Sequence, residues 1–175
     1  MEDPQPSVKK IALNYGLLWG IASIGIGVVT YVTNTHMERP WWASVLGIVI
    51  MVLAVAFGQQ AFKKENAGYM SLGEALKVGM AVTAIAAVIG AIWMYIFVTT
   101  IDTEFIAKTI EATEINMATQ QPDMTPEQKE AAMTMARRFT QPWIIATIGM
   151  LLTMFFGFIV SLISGLVLKN QNPMG

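Results

Sequence analysis

Four polar residues in this sequence have the types and spacing from which a transport site could be built. Glu74 and Lys77 lie three residues apart, a spacing that brings two side chains together on one face of a helix. An acid–base pair of this kind handles protons or ions when it lies inside a membrane. With Gln59 and Gln60, which precede it in the chain, the pair forms the candidate polar mouth of a channel or transporter.

The same region also has a structural explanation, which the sequence favours. Ser71 followed three residues later by Glu74 matches a capping box, in which both residues satisfy free N–H groups at the start of a helix. Gly68 permits the tight chain reversal before this helix. The long stem of Lys77 reaches the lipid headgroups from the helix end. Because the pair lies at a helix end, we expect a cap and an anchor rather than an ion-handling pair.

Patterns for catalysis and metal binding are otherwise missing. There is no cysteine, and the single histidine, His36, forms neither a metal site nor a catalytic dyad by itself. No zinc-protease, hydrolase or phosphate-loop motif occurs. Some methionines could offer thioether ligands to Cu(I), although methionine also fills gaps on apolar faces; these are Met117, Met124, Met133 and Met135. The sequence therefore predicts no enzyme, no cofactor and no metal site.

The amino-acid composition indicates that the candidate polar residues lie on or beside membrane-spanning helices. Of 175 residues, 54% are hydrophobic and only 13% are charged, whereas a soluble domain carries about 25% charged residues. This excludes a soluble enzyme with a well-solvated surface and a basic nucleic-acid-binding protein. Four apolar stretches reach the length of about 20 residues that a membrane-spanning helix needs, namely residues 11–32, 41–62, 72–100 and 143–168. We therefore predict one all-α, polytopic membrane domain over residues 1–175, with its four transmembrane helices in a bundle.

The distribution of basic residues predicts the orientation of the spans. One side carries six lysines within short segments, namely Lys9, Lys10, Lys63, Lys64, Lys77 and Lys169. The other side has Arg39 in a short loop and a few basic residues spread over the long segment 102–141. Because lysine and arginine in short loops stay in the cytoplasm, we predict that the N- and C-termini are both cytoplasmic.

Small residues recur every three or four positions along three of the predicted spans. Such faces let two helix backbones approach closely, and close packing drives helix association in lipid. The candidate helix-packing residues are Gly16, Gly20, Gly27, Gly79, Gly90, Gly149, Gly157 and Gly165. A compact four-helix bundle explains these faces best, and the alternative is that a small-residue face lines a substrate path.

The segment between the third and fourth spans, residues 102–141, is too polar to cross a membrane and too patterned to be disordered. Thr125, Pro126 and Gln128 match the start of a capped helix. Apolar residues recur at helical spacing on both sides of this point. We predict an extracytoplasmic helical hairpin that lies on the outer membrane face or on the bundle. It is either a lid for its own bundle or a docking surface for a periplasmic partner.

One string in the sequence resembles a known family. It runs from Lys63 to Lys77 and reads Lys-Lys-Glu-Asn-x-Gly-Tyr-x-Ser-x-Gly-Glu-Ala-Leu-Lys. This string is similar to small bacterial inner-membrane proteins catalogued as domain of unknown function 4199, and the similarity extends over nearly the whole chain. The resemblance implies a multi-pass protein of the inner (plasma) membrane. It implies no activity and no catalytic or binding residues.

The sequence thus favours a non-enzymatic membrane protein that acts through helix–helix or periplasmic-loop contacts. Its expected partners are membrane lipid and either a second copy of itself or another membrane protein, without nucleic acid. The alternative is a small channel or transporter with Gln59, Gln60, Glu74 and Lys77 at its cytoplasmic mouth.

Overall fold

The computed structural model describes residues 7–38 and 40–170, and within them the chain is all-helical, as predicted. Four of its six helices are long and apolar enough to cross a membrane. The helices are α1 (Val8–Val32), α2 (Trp41–Glu65), α3 (Leu72–Ile96), α4 (Phe105–Gln120), α5 (Pro126–Phe139) and α6 (Pro142–Leu168). One π-helical turn, Phe97–Ile101, follows directly on α3. Each apolar stretch of the sequence therefore forms one long helix.

The chain divides into two compact units. Unit 1, residues 1–90 and 150–175, contains α1, α2, most of α3 and the later part of α6. Unit 2, residues 91–149, contains the end of α3, the π-helical turn, α4, α5 and the start of α6. Both boundaries fall inside apolar helices.

Helix α3 is the central helix of unit 1 because glycines let its neighbours approach it closely. A Cβ atom added at Gly16 of α1 would lie 2.6 Å from the Cβ of Ile85. On another side of α3, Gly157 of α6 lies directly against the side chain of Thr83. Distances this short leave no room for a larger residue. Beside these contacts, the core of the unit contains Trp19, Ala54, Val55, Val82 and Ala86.

One end of unit 1 gathers the start of α1, the end of α2, the start of α3 and the end of α6. Their apolar side chains form one cluster, in which Leu168 packs against the buried residues Ile11, Phe62, Met70, Ala75 and Val78. The six lysines of the predicted cytoplasmic side all belong to these segments, so the structure brings them to one end of the unit. Arg39 and the predicted cytoplasmic termini, residues 1–6 and 171–175, lie outside the described residues.

The loop before α3 confirms two local predictions. Gly68 has φ +84°, a left-handed backbone conformation that glycine adopts readily. Ser71 and Glu74 form the expected capping box: the Glu74 carboxylate accepts from the Ser71 N–H at 2.7 Å, and Ser71 Oγ accepts from the Glu74 N–H at 3.2 Å. This exchange satisfies two backbone donors where α3 begins.

Unit 2 contains the two short helices predicted between the last two spans. The capping box at the start of α5 is present, with Thr125 and Gln128 each accepting from the other's backbone N–H. Helices α4 and α5 contact each other, and Lys129 of α5 forms an ion pair with Glu114 of α4 at 3.5 Å. Neither helix has a buried residue. The pair is therefore held by local contacts and leaves much of its surface exposed.

Candidate functional site

One glutamine side chain links three helices in the interior of unit 1. Gln59 of α2 is fully buried. Its Nε2 group donates one hydrogen bond to the Ala75 carbonyl of α3 and another to the Ser161 carbonyl of α6, both at 3.0 Å. Both amide hydrogens are thereby used, which fixes the end of the amide that faces the two carbonyls. Gln59, with the buried Thr83 and Ser161, forms what we call the polar centre.

Two glycines make room for this amide. A Cβ atom added at Gly79 would lie 3.2 Å from Gln59 Nε2 and 2.7 Å from the Cβ of Ser161. A Cβ atom added at Gly165 would lie 2.9 Å from the Cβ of Ala75. Any larger residue at either position would push α3 and α6 apart. The glycines therefore allow the two helices to lie close enough for one side chain to bond both.

The two hydroxyl groups of the polar centre are satisfied within their own helices. Thr83 Oγ1 donates to the Gly79 carbonyl at 2.8 Å, and Ser161 Oγ donates to the Gly157 carbonyl at 2.6 Å. Bonds of this kind let a hydroxyl lie in an apolar interior. Because Ser161 gives its proton to a carbonyl rather than to a base, it lacks the activation that a catalytic serine needs.

The other end of the Gln59 amide is open. Its Oε1 atom is buried and has no hydrogen-bond partner in the part of the chain that the structure describes. A buried acceptor that lacks a donor costs about 1–3 kcal/mol. The amide oxygen therefore keeps its capacity to accept a hydrogen bond inside unit 1. This acceptor is the feature of unit 1 with the chemistry of a binding site.

The other residues of the predicted mouth have different environments. The Glu74 carboxylate accepts from both the N–H and the hydroxyl of Ser71, at 2.7 and 2.8 Å, so it is engaged as a cap. Lys77 is exposed, and within residues 40–170 it forms no ion pair with Glu74. The carboxylate turns toward the helix start instead, as the predicted cap requires. Gln60 is half-buried, next to the fully buried Gln59.

The candidate helix-packing glycines fall into three environments. Five lie against another helix of unit 1 at distances that exclude a Cβ atom, namely Gly16, Gly20, Gly79, Gly157 and Gly165. Gly27 is half-buried, and its carbonyl accepts from Thr30 Oγ1 at 2.9 Å. At Gly90 and Gly149, an added Cβ atom would meet no heavy atom of the described residues within 4 Å. The small-residue faces are thus used largely inside the chain.

A second polar cluster, which we call the loop clasp, joins the α2–α3 loop to the end of α6. The backbones of Met70 and Asn170 exchange hydrogen bonds at 2.8 and 2.9 Å, and Asn170 Nδ2 donates to the Gly68 carbonyl at 3.0 Å. Lys63 Nζ donates to the Leu168 carbonyl at 2.8 Å, which puts positive charge at the C-terminal end of α6. Sequence reasoning missed these contacts, because no local pattern connects residues 102 positions apart.

The part of the chain that the structure describes has no group of three His, Asp or Glu side chains that could hold a metal ion. The arrangement instead offers buried helix-to-helix hydrogen bonds, one open amide oxygen and large apolar surfaces.

Four long apolar helices define the chain as a multi-pass helical membrane protein. The family model described as protein of unknown function (DUF4199) matches residues 14–170, which is most of the chain. The chain belongs to this family, so the resemblance carried by residues 63–77 is confirmed. No curated protein and no solved structure matches the chain significantly.

Proposed function

We propose that this protein is a non-enzymatic, multi-pass protein of the inner membrane that acts through contacts with a second copy of itself or with another membrane protein. Two glycines outside the packed faces carry the proposal. At Gly25 of α1 and Gly47 of α2, an added Cβ atom would meet no heavy atom of the described residues within 4 Å. Glycine inside a helix costs up to about 1 kcal/mol relative to alanine, and packing within the chain does not offset this cost at either position.

Close approach of another helix would offset it. In lipid, exposed leucine or phenylalanine gives little drive to associate, because acyl chains are equally apolar, whereas small residues allow close backbone contact. Gly47 follows Ala43 by four residues, the spacing of a small-residue packing face. Only 17% of the most apolar part of α2 is buried within the chain, as little as in α6 and less than in α1 or α3, which leaves this helix available. We therefore assign α2 as the contact helix.

Energy transfer between donor- and acceptor-labelled copies in liposomes tests self-association. The chain has no cysteine, so one introduced cysteine carries the label. Gly47→Leu fills the gap and should weaken association about tenfold. Val45→Leu, at an exposed position of the same helix, is the control and should change nothing. Equal transfer for the wild type and Gly47→Leu would contradict self-association through α2, and cross-linking in native membranes would then test a different protein as partner.

The proposal includes the orientation predicted from the sequence. The six lysines at one end of unit 1 support a cytoplasmic location for that end, by the rule that short basic segments stay in the cytoplasm. Since successive spans alternate in direction, the segment between α3 and α6 then lies outside the cytoplasm. In this orientation, α4 and α5 form an extracytoplasmic hairpin.

A small channel or transporter is the second candidate, and the unpartnered Gln59 Oε1 is the observation that favours it. Solute flux in proteoliposomes tests this function. Flux that is lost in Gln59→Leu but retained in Gln60→Leu would assign it to the buried amide, since the two glutamines are adjacent and differ in burial. Flux that also depends on Glu74 would extend the path to the capped start of α3. Absence of flux for water, ions and small polar solutes would contradict this candidate.

A further inference from the structure

Helix α5 presents exposed apolar side chains in its C-terminal half. Met135 and Phe139 are 63% and 52% exposed, and they lie four residues apart on one face. Ala131 and Arg138 are exposed beside them. We call these four residues the outer stripe of α5. Half-buried Ala132 and Ala136 border Met135 and Phe139 at helical spacing, and Lys129, with its ion pair to α4, lies further round the helix.

Charge is segregated along α5. Its acidic residues Glu127 and Glu130 lie in the first half, whereas Arg137 and Arg138 occupy the last turn. Both arginines are exposed, and neither forms an ion pair with a described residue. Cationic side chains at a helix C-terminus also suit the helix dipole. The dipole does not explain why two large apolar side chains are exposed next to them.

The last turn of α5 is tied closely to the start of a membrane-spanning helix. The Thr140 N–H donates to the Ala136 carbonyl at 3.0 Å, and the Gln141 N–H donates to the Arg138 carbonyl at 3.3 Å. Helix α6 begins at Pro142, three residues after Phe139, so at most about 11 Å of chain separates them. A headgroup layer is about 5–8 Å thick on each side of the hydrocarbon. The basic end of α5 therefore lies within the headgroup layer or directly above it.

The side chain of Trp143 supports a position of this segment near the lipid headgroups. Trp143, in the first turn of α6, is 59% exposed, and its Nε1 group donates to Gln141 Oε1 at 3.0 Å. Tryptophan is enriched at membrane–water interfaces because its ring is apolar and its N–H is polar. The exposed side chains in the last turn of α5 and the first turn of α6 thus have the composition of an interfacial anchor.

We infer that the outer stripe of α5 binds the membrane surface and that the two arginines of the last turn select phospholipids with anionic headgroups. Met135 and Phe139 enter the boundary between headgroups and acyl chains, as the apolar face of an interfacial helix does. Arg138, in the stripe, donates to phosphate oxygens, for which the planar guanidinium is well suited, and Arg137, on a different face of the same turn, adds positive charge near the headgroups. This site is separate from the α2 contact face and does not depend on it.

Native mass spectrometry of the full chain, titrated with phosphatidylglycerol or phosphatidylcholine, tests the lipid selectivity. The wild type should retain phosphatidylglycerol preferentially, and each arginine replaced in Arg137→Gln/Arg138→Gln should lower its affinity about fivefold. Lys129→Gln removes the same charge from the α4-facing side and should retain the preference. Equal binding of the two lipids, an unchanged double variant, or an equal loss in Lys129→Gln would each overturn the inference.

Spin labels test the depth independently of lipid charge. A nitroxide at Met135→Cys in anionic nanodiscs should be accessible to oxygen and shielded from a water-soluble nickel reagent. A label at the exposed Glu130→Cys, on another face of α5, should show the reverse. If both labels are accessible to the nickel reagent, or if both become shielded because a protein covers α5, the stripe does not lie on lipid.

Discussion

Gln59 shows how one polar residue can organise a bundle that hydrocarbon surrounds. It donates to carbonyls of α3 and α6, and hydrogen bonds between membrane helices average only about 0.6 kcal/mol each. Its unpartnered Oε1 costs about 1–3 kcal/mol. The two effects are of similar size, so this glutamine adds little net stability. What it adds is specificity for one arrangement of three helices.

This balance predicts the effect of replacing the amide. Gln59→Met keeps the shape, gives up two weak bonds and removes the unpartnered oxygen, so the free energy of unfolding should stay the same or rise by about 1 kcal/mol. Gln59→Glu should destabilise strongly, because it buries a carboxyl group next to two carbonyls. Unfolding in mixed detergent measures both. A loss above about 2 kcal/mol in Gln59→Met would show that Oε1 holds a bound donor, and would favour the channel or transporter.

Replacing glycine by alanine should affect stability differently at two positions of the chain. Gly157→Ala places a methyl group against Thr83 and should lower the free energy of unfolding by about 1–3 kcal/mol. Gly47→Ala enters open space within the chain and should be neutral, or should stabilise α2 by up to about 1 kcal/mol. Thermal unfolding in detergent measures both variants. Equal effects would contradict the assignment of Gly157 to the inside of the bundle and of Gly47 to the outside.

At the scale of elements, helix caps made by residues close in the sequence could be predicted. Contacts between residues far apart in the sequence could not. Both capping boxes follow from residues three positions apart, and both form. Of the two partners that spacing offers Glu74, Ser71 binds the carboxylate, and Lys77 forms no ion pair with it in the described chain. Spacing alone does not show which of the two residues Glu74 contacts, since both lie three residues from it. The Ser71 N–H at a helix start is the stronger attraction because it otherwise lacks a partner.

The start of α5 gives an element-scale prediction about pH. Hydrogen bonds from the backbone N–H of Glu127 and from the Thr125 hydroxyl lower the pKa of the Glu127 carboxyl below its ordinary value. A carboxyl with a lowered pKa in the folded state stabilises it above the unfolded pKa, and this contribution is lost as the pH falls through the folded value. Acid should therefore loosen the first turn of α5.

Hydrogen exchange of α5 peptides checks this in the wild type and in Glu127→Gln at matched pH. Near pH 7 the wild type should be better protected. The difference should shrink as the pH drops below roughly 4, where the free carboxyl takes up its proton. A difference that stays constant across this range would show that Glu127 does not act through its charge.

At the scale of the whole molecule, the sequence was sufficient for the four apolar helices and for the short helices between the last two, since length, hydrophobicity and caps determine these. It was not sufficient for the choice of neighbours. Gly157 and Thr83 touch because α3 and α6 pack together, and periodicity marks both faces without saying which pairs with which. The same holds for Asn170, whose partners lie in the α2–α3 loop.

The proposed orientation is tested by single cysteines in the cysteine-free chain. Glu111→Cys on α4 should react with an impermeant maleimide in intact cells. Lys64→Cys, near the loop clasp, should react only after the membrane is permeabilised. Both positions are exposed, so burial does not confuse the comparison. The reverse pattern would invert the topology, and equal labelling in intact cells would contradict a span between the two sites.

The hydrogen bond from Gln59 to Ser161 also has a consequence for biosynthesis. The two residues are 102 positions apart, so at about 5–20 residues per second a ribosome needs on the order of 5–20 seconds to add the second after the first. Until then one of the two carbonyls that accept from this amide does not yet exist. A nascent chain that stalls before α6 therefore has only the Ala75 carbonyl to accept from the Gln59 amide group, so it carries a free amide hydrogen in addition to the unpartnered Oε1 of the completed chain.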